Sequence, residues 1–282
     1  MVELIKVIVM GIVQGLSEFL PISSSAHLVF TSNLIQTVTH NPLSHNSSYD
    51  IVLSMMLHLG TLGAVFLFFK EDIAVIWNAL VNSVKTSDFT DYNSKIGIYI
   101  ILGTFITAAV AVMLGDIAEK LMYLPEVTAL LLIITGCVLY GAEKYSDTMN
   151  LKQQVITVKT AVVMSIAQGI AALPGFSRSG WTIAAGMFSK TDRITCARYS
   201  FLLSIPIILG ASVIYPIKEV RFGELLSYNW GYIIIGTVVS GVSGYICIKY
   251  FLEFLSKYSL RVFAYYCFVA GFTAALFFYL VK

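Results

Sequence analysis

Apolar residues gather in eight stretches along the chain, and the stretches are of two kinds. Six run at about 51–69, 96–114, 127–143, 198–217, 230–249 and 262–281, each mostly apolar and bounded by charge. Their lengths approach or exceed the roughly 20 residues that cross a bilayer as a helix. The other two, 4–36 and 155–190, are interrupted: an apolar segment, a break of Pro, Ser and Gly, then a second short apolar segment. Broken helices at membrane depth are tolerated only where the backbone is buried in protein or lines a watery cavity. The pattern predicts about six full transmembrane helices and two re-entrant helix–turn–helix hairpins. Eight or more ordinary spans, two of them kinked, are the plainer alternative, because Pro is common in membrane helices. Residues 71–88 read as a short amphipathic, interfacial helix.

Composition narrows the class. Of the 282 residues, 57% are hydrophobic and 12% charged, where a soluble domain carries about 25% charge. Mean hydropathy is +0.82. The fold class is therefore an all-α, multi-pass (polytopic) membrane protein. A net charge of +2, with no basic arm or RNA-binding motif, gives no reason to expect nucleic acid as a partner. The first apolar segment ends in Pro21-Ile22-Ser23-Ser24-Ser25 rather than a small-x-small cleavage site, so it reads as retained structure. Cys137, Cys196, Cys247 and Cys267 stand far apart without metal-ligand spacing and read as small buried side chains.

Lys and Arg orient the helices. If spans cross and hairpins do not, the loops at 70–95, 144–159, 190–198 and 249–261 share one side and hold twelve Lys and Arg, from Lys70 to Arg261. The opposite side holds Lys6, Lys120, Lys218, Arg221 and Lys282. The positive-inside rule makes the first side cytoplasmic and puts both termini outside. The first hairpin then dips in from outside and the second from the cytoplasm. Three spans, an odd number, separate them, so the chain reads as one membrane domain, 1–282, of two inverted repeats at about 1–143 and 155–282. Such repeats place a site near the midplane, where they meet.

The hairpins match each other at an offset of 154 residues: Ile12/Ile166, Gln14/Gln168, Gly15/Gly169, Ser23/Ser177 and Ser25/Ser179 coincide. Their chemistry diverges. The first carries Glu18 and His27 and the second carries Arg178. A charge at the centre of a membrane helix costs about 2.5–3.5 kcal/mol on an insertion scale, so opposite charges in two facing turns are expected to pair. Gln14 and Glu18 share a helical face and could bind a divalent cation through oxygen or orient a water. Ser23, Ser24 and Ser25 open a helix; one of them caps it, and its free N–H groups suit a phosphate. His27 lies three residues after Ser24, so it could serve as base to a hydroxyl nucleophile or attack phosphorus itself. In the second hairpin, Ser177 and Ser179 flank Arg178 and Thr182 follows, the strongest anion-binding signal in the chain. The plainer readings are a structural ion pair and an arginine that snorkels to headgroups. His58 reads as a satisfied interhelical group, His40 and His45 as solvated loop residues, and Tyr199 and Ser200 have no assigned role.

The sequences Gln14-x-x-x-Glu18, Pro21-Ile22-Ser23-Ser24-Ser25-Ala26-His27 and Pro174-Gly175-Phe176-Ser177-Arg178-Ser179-Gly180-Trp181-Thr182 resemble the two motifs of the undecaprenyl-diphosphate phosphatase family, the bacitracin-resistance membrane phosphatases. The resemblance extends over essentially the whole chain in length and hydropathy. It implies hydrolysis of undecaprenyl diphosphate to the monophosphate carrier used in cell-wall polymer synthesis. It also implies a divalent cation, Mg2+ or Ca2+, associated with Glu18 and Gln14, and a site opening toward the outer face. Catalytic roles map onto Glu18, Ser24, His27 and Arg178, with Gln14, Ser23, Ser25, Ser177, Ser179 and Thr182 toward substrate. Many members carry Glu where this chain has Gln14, which leaves Glu18 with more of the work. The nucleophile is Ser24, His27 or a water. The partners expected are the polyprenyl diphosphate and membrane lipids, and a homodimer is compatible with these features. The alternative from another class is a transporter or flippase for a polyprenyl phosphate or another anion, since inverted repeats meeting at the midplane also mark transporters.

Overall fold

The computed structural model describes residues 2–39, 48–122, 124–149, 153–219, 222–226 and 228–280; His40 and His45 lie outside them. The first hairpin is α1 (Val2–Phe19) and α2 (Ser24–Thr39). Next come α3 (Ser48–Phe68), α4 (Lys70–Thr86), α5 (Tyr92–Met113), the short α6 (Gly115–Met122) and α7 (Pro125–Met149). The second hairpin is α8 (Val158–Ile170) and α9 (Arg178–Phe188). The chain continues through α10 (Arg193–Glu219), α11 (Phe222–Leu225), α12 (Trp230–Lys257) and α13 (Arg261–Leu280). Among the described residues α3, α5, α7, α10, α12 and α13 are long and apolar enough to cross a membrane. The architecture is all-α, and an isolated bridge between Gln153 and Thr191 is its one trace of β-pairing there.

The helices of the second hairpin are shorter than the spans. At 1.5 Å per residue, the 13 residues of α8 and 11 of α9 reach only about 20 Å and 17 Å, well short of a hydrocarbon core. The second hairpin is also closed at its base. The Gln153–Thr191 bridge, and an Asp192 N–H donated to the Gln153 carbonyl at 3.0 Å, bring its two ends together. At the first hairpin, Lys6 Nζ donates to Asp50 at 2.9 Å and ties the start of α1 to the start of α3.

Each hairpin packs its first helix on a span from the distant part of the chain: α1 lies along α12 and α8 along α5. Gly15 and Gly169, one offset apart, make this possible. A Cβ on Gly15 would stand 1.9 Å from Ser243 Oγ, and one on Gly169 would stand 2.5 Å from Val110 Cβ. Small residues let helix backbones approach where lipid supplies no hydrophobic drive. The remaining long helices pair as α3 with α12, α7 with α13 and α10 with α3. Phe201 packs edge to face on Phe19 and at a tilt against Phe69 and Phe251 in the core between them.

Some helix ends differ from the hydropathy pattern. α7 runs past 143 to Met149 because the charges in its last turns are paired: Arg193 donates to the buried Glu143 at 2.5 Å, and Arg261 donates to Asp147. α10 begins at Arg193 rather than 198, its first turn capped by Asp192 Oδ1, which accepts from the Ile194 and Thr195 N–H groups at 3.1 Å. α6 and α11 are too short to leave a periodic signature. Cys137 is exposed rather than buried; it sits on an apolar surface, where a thiol behaves as a small hydrophobe.

Candidate active site

Two turns meet, and they share one pattern of side-chain hydrogen bonds. Ser23 caps α2: its Oγ accepts from the Ala26 N–H at 3.3 Å. Ser177 caps α9 in the same way, accepting from the Gly180 N–H at 3.2 Å. Each capping serine pairs with the serine two residues on, Ser23 with Ser25 at 3.1 Å and Ser177 with Ser179 at 3.2 Å. Those second serines then reach across to the other hairpin. Ser25 Oγ accepts from the Gly175 N–H at 3.3 Å, and Ser179 Oγ donates to the Leu20 carbonyl at 3.1 Å. Gly175 takes φ 98°, a left-handed conformation that a Cβ would strain and that would also bring that Cβ within 2.4 Å of the Thr128 carbonyl.

This scaffold puts the first residues of the two helices, Ser24 and Arg178, on either side of Glu18. Glu18 is buried. Its Oε1 accepts from Arg178 Nη2, and its Oε2 accepts from Ser24 Oγ at 2.8 Å and Gln14 Nε2 at 2.9 Å. An ionised carboxylate offers only acceptors, and here both oxygens are held by donors from three places in the chain. The other guanidinium arm, Arg178 Nη1, is buried and lacks a partner among the described residues. A cavity of about 220 Å³ opens against this cluster. Glu18, Ser24, Ser25, His58 and Arg178 form its polar wall; Met55, Ile207, Ile208 and Ala211 form an apolar one. A polar pocket with an unsatisfied guanidinium arm and an adjoining apolar wall suits an anionic head on a hydrocarbon tail.

Glu18, Ser24, Arg178 and Ser25 come together as the sequence suggested, and Gln14 acts through Glu18. The other sequence candidates have structural partners. Ser23 and Ser177 are caps, and Ser179 bridges the turns. Thr182 Oγ1 lies 2.5 Å from Ser200 Oγ and ties α9 to α10. His27 turns away from the cavity: its Nδ1 is 2.8 Å from the Ser23 carbonyl and its Nε2 is 2.6 Å from the Tyr266 hydroxyl on α13. The residue one offset later, Trp181, is likewise committed elsewhere, donating Nε1 to Thr135 on α7 at 3.2 Å. The imidazole that does face Glu18 belongs to His58, at 3.7 Å. From the sequence His58 reads as a satisfied interhelical group, because it lies outside both motifs; a polar side chain inside an apolar span is its only signal.

The oxygen set for a cation is small. Among the described residues no three His, Cys, Asp or Glu side chains converge. Besides the carboxylate of Glu18, Gln14 Oε1 is a buried oxygen without a hydrogen-bond partner there. These two donors fit part of a hard-cation shell, which needs six or more oxygens.

The profile of a family described as "Bacitracin resistance protein BacA" matches residues 7–273. The chain is similar to the undecaprenyl-diphosphatase of Halothermothrix orenii, 38% identical over 269 residues, 95% of this chain and 96% of the relative. The undecaprenyl-diphosphatase of Methanobrevibacter smithii is 36% identical over 282 residues, 95% of each chain. That of Thermodesulfovibrio yellowstonii is 36% identical over 265 residues, 94% of this chain and 93% of the relative.

Proposed function

The chain belongs to the bacitracin resistance protein BacA family, and from that membership and the geometry around Glu18 we propose that it hydrolyses undecaprenyl diphosphate to undecaprenyl phosphate and phosphate. The observation that carries the chemistry is Arg178 in the cavity wall, with one arm on Glu18 and the other, Nη1, without a partner among the described residues. The free arm takes a phosphate oxygen, and the N–H groups opening α2 and α9 add to it. The apolar wall of Met55, Ile207, Ile208 and Ala211 receives the first isoprene units.

Ser24 is the nucleophile in this reading. Its Oγ forms a bond to the terminal phosphorus as its proton passes to Glu18 Oε2, to which it already donates. The bridging P–O bond breaks, and undecaprenyl phosphate leaves with the electron pair. Arg178 balances the charge that builds on the transferring group. A water then forms the new bond to phosphorus, the Ser24–phosphorus bond breaks, and the serine oxygen recovers a proton. His27 braces the turn through the Ser23 carbonyl rather than acting on phosphorus. An anion carrier, the alternative class, needs neither a carboxylate against its anion-binding arginine nor a hydroxyl bound to that carboxylate.

The donors that would hold Mg2+ or Ca2+ are Glu18 and Gln14 Oε1, with diphosphate and water oxygens completing the shell; the ion would supply charge neutralisation of the phosphates. The loop charges support an inverted pair of re-entrant hairpins, and family membership supports a plasma-membrane site that opens outward.

Phosphate release from a C55 diphosphate by the purified protein in detergent, with and without chelator, tests the reading. Release that falls on chelation and returns with Mg2+ or Ca2+ is the expected result. No release under any metal would overturn the phosphatase in favour of a carrier.

A further inference from the structure

His58 has no role in the steps above, yet it is the imidazole in the cavity wall. Its Nδ1 lies 2.7 Å from the Ser54 carbonyl, one turn earlier on α3. A carbonyl only accepts, so Nδ1 carries the hydrogen, and the ring in its neutral form presents a bare Nε2. That nitrogen is 3.7 Å from Glu18 Oε2, beyond hydrogen-bond distance. Glu18 Oε2 is in any case occupied by Ser24 and Gln14. The backbone beneath the ring is held on both sides: the Leu57 carbonyl accepts from Ser240 Oγ on α12 at 2.8 Å, and the His58 carbonyl accepts from Thr61 Oγ1 at 2.8 Å.

Two uncommitted nitrogens therefore flank one carboxylate, and they differ in kind. Arg178 Nη1 is a donor, suited to phosphate oxygens. A bare Nε2 is an acceptor, which a fully ionised phosphate cannot satisfy and a water can. The polar groups that line the same cavity are Glu18 from α1, Ser24 and Ser25 from α2, Arg178 from α9 and Ser212 from α10.

We infer that His58 Nε2 holds the water consumed in the hydrolysis, fixing the direction in which its oxygen approaches phosphorus. The inference rests on the phosphatase reading of this site. Whichever atom attacks first, one water is spent: its oxygen forms the new P–O bond, the P–O bond to the leaving oxygen breaks, and its proton ends on that oxygen or on the phosphate released. His58 accepts a hydrogen bond from that water and acts by placing it, so it is a positioning residue.

The test uses His58→Leu, His58→Asn and His58→Gln in the purified full-length protein, with kcat and KM for phosphate release from C55 diphosphate and a melting temperature for each. His58→Leu removes the acceptor and is expected to lose about 100-fold in kcat with KM within about threefold. His58→Asn, too short to reach the cavity, is expected to lose as much and serves if the leucine variant fails to fold. His58→Gln, whose amide oxygen accepts at similar reach, is expected to recover at least about tenfold of that loss. Near-normal kcat in the Leu or Asn variant overturns the inference. So does a loss that falls in KM, which would make His58 a substrate clamp, or a glutamine variant as impaired as leucine at unchanged melting temperature. A wild-type protein that releases no phosphate sinks the phosphatase reading instead, so the two failures are told apart.

Discussion

The two hairpins share a backbone device and divide the chemistry. Ser23 and Ser177 cap, Ser25 and Ser179 cross to the opposite turn, and Gly15 and Gly169 seat α1 and α8 on their spans. At the first position of the following helix the copies part, with Ser24 in one and Arg178 in the other. They part again a turn earlier, where Glu18 faces the site and its counterpart is Ala172. Most positions that match between the copies hold the turns together, though Ser25 also lines the cavity, and the differing Glu18, Ser24 and Arg178 face it. Gln14 and Gln168 lie between these cases. Gln14 donates to Glu18, whereas Gln168 donates to Thr107 at 3.2 Å and is purely structural.

If this division is right, the largest loss follows from the hydroxyl. Ser24→Ala is expected to lower kcat by at least about 10⁴-fold, as removal of a nucleophile does elsewhere. The fold should survive, since the cap belongs to Ser23. Rapid-quench measurement of the first turnover checks it: wild type should form a phosphorylated protein and the variant none. A variant that turns over near the wild-type rate would mean that water attacks directly and that the first hairpin contributes only Glu18.

Arg178→Ala is expected to cost about 10³-fold in kcat, in the range of other arginines that neutralise a transferring phosphoryl group. Arg178→Lys should recover part of this, because an ammonium supplies charge without the two-armed grip. Glu18→Gln should be nearly as damaging as the alanine change. It leaves a buried guanidinium without its counter-charge and so should also lower the melting temperature. Near-normal phosphate release from folded Arg178→Ala would remove the second hairpin from the chemistry altogether. Full rescue of Glu18→Gln by added Mg2+ would assign Glu18 to cation affinity.

Much of this division is legible in the sequence, for reasons that also mark where legibility ends. The spans can be read because apolar length is what a bilayer demands, and the breaks because Pro, Ser and Gly interrupt it. The Glu18–Arg178 pairing can be read across 160 residues because a lone charge at depth is too costly to leave unpaired. Hydroxyls carry no such constraint. Ser25 and Thr182 look alike in the motifs, yet one lines the cavity and the other bonds Ser200 on α10. The direction a side chain takes from a helix start is set by what packs behind it. His27 is drawn outward by Tyr266, 239 residues away, and His58 inward by the seating of α3 on α12. The true end of α7 likewise depends on Arg193 and Arg261, which arrive from other helices.

The smallest effects sharpen the comparison most, because they separate two serines with the same job. Replacing either cap with Ala removes the side-chain acceptor of one helix and should cost about 1 kcal/mol. The backbones differ, however. Ser23 sits at φ 69° and Ser177 at φ −86°. A non-glycine residue in the left-handed region is disfavoured by roughly 1–2 kcal/mol, so Ser23→Gly loses the cap but sheds that strain. Ser177→Gly has no strain to shed and gains backbone freedom when unfolded. The expected order is therefore a wide gap between Gly and Ala variants at 23, with glycine near wild type, and a narrow one at 177, with both below it. Melting of the four variants in one detergent measures both gaps. Equal gaps would mean that the first turn relaxes out of the left-handed conformation, and with it the placement of Ser24 on Glu18 that the proposed chemistry requires.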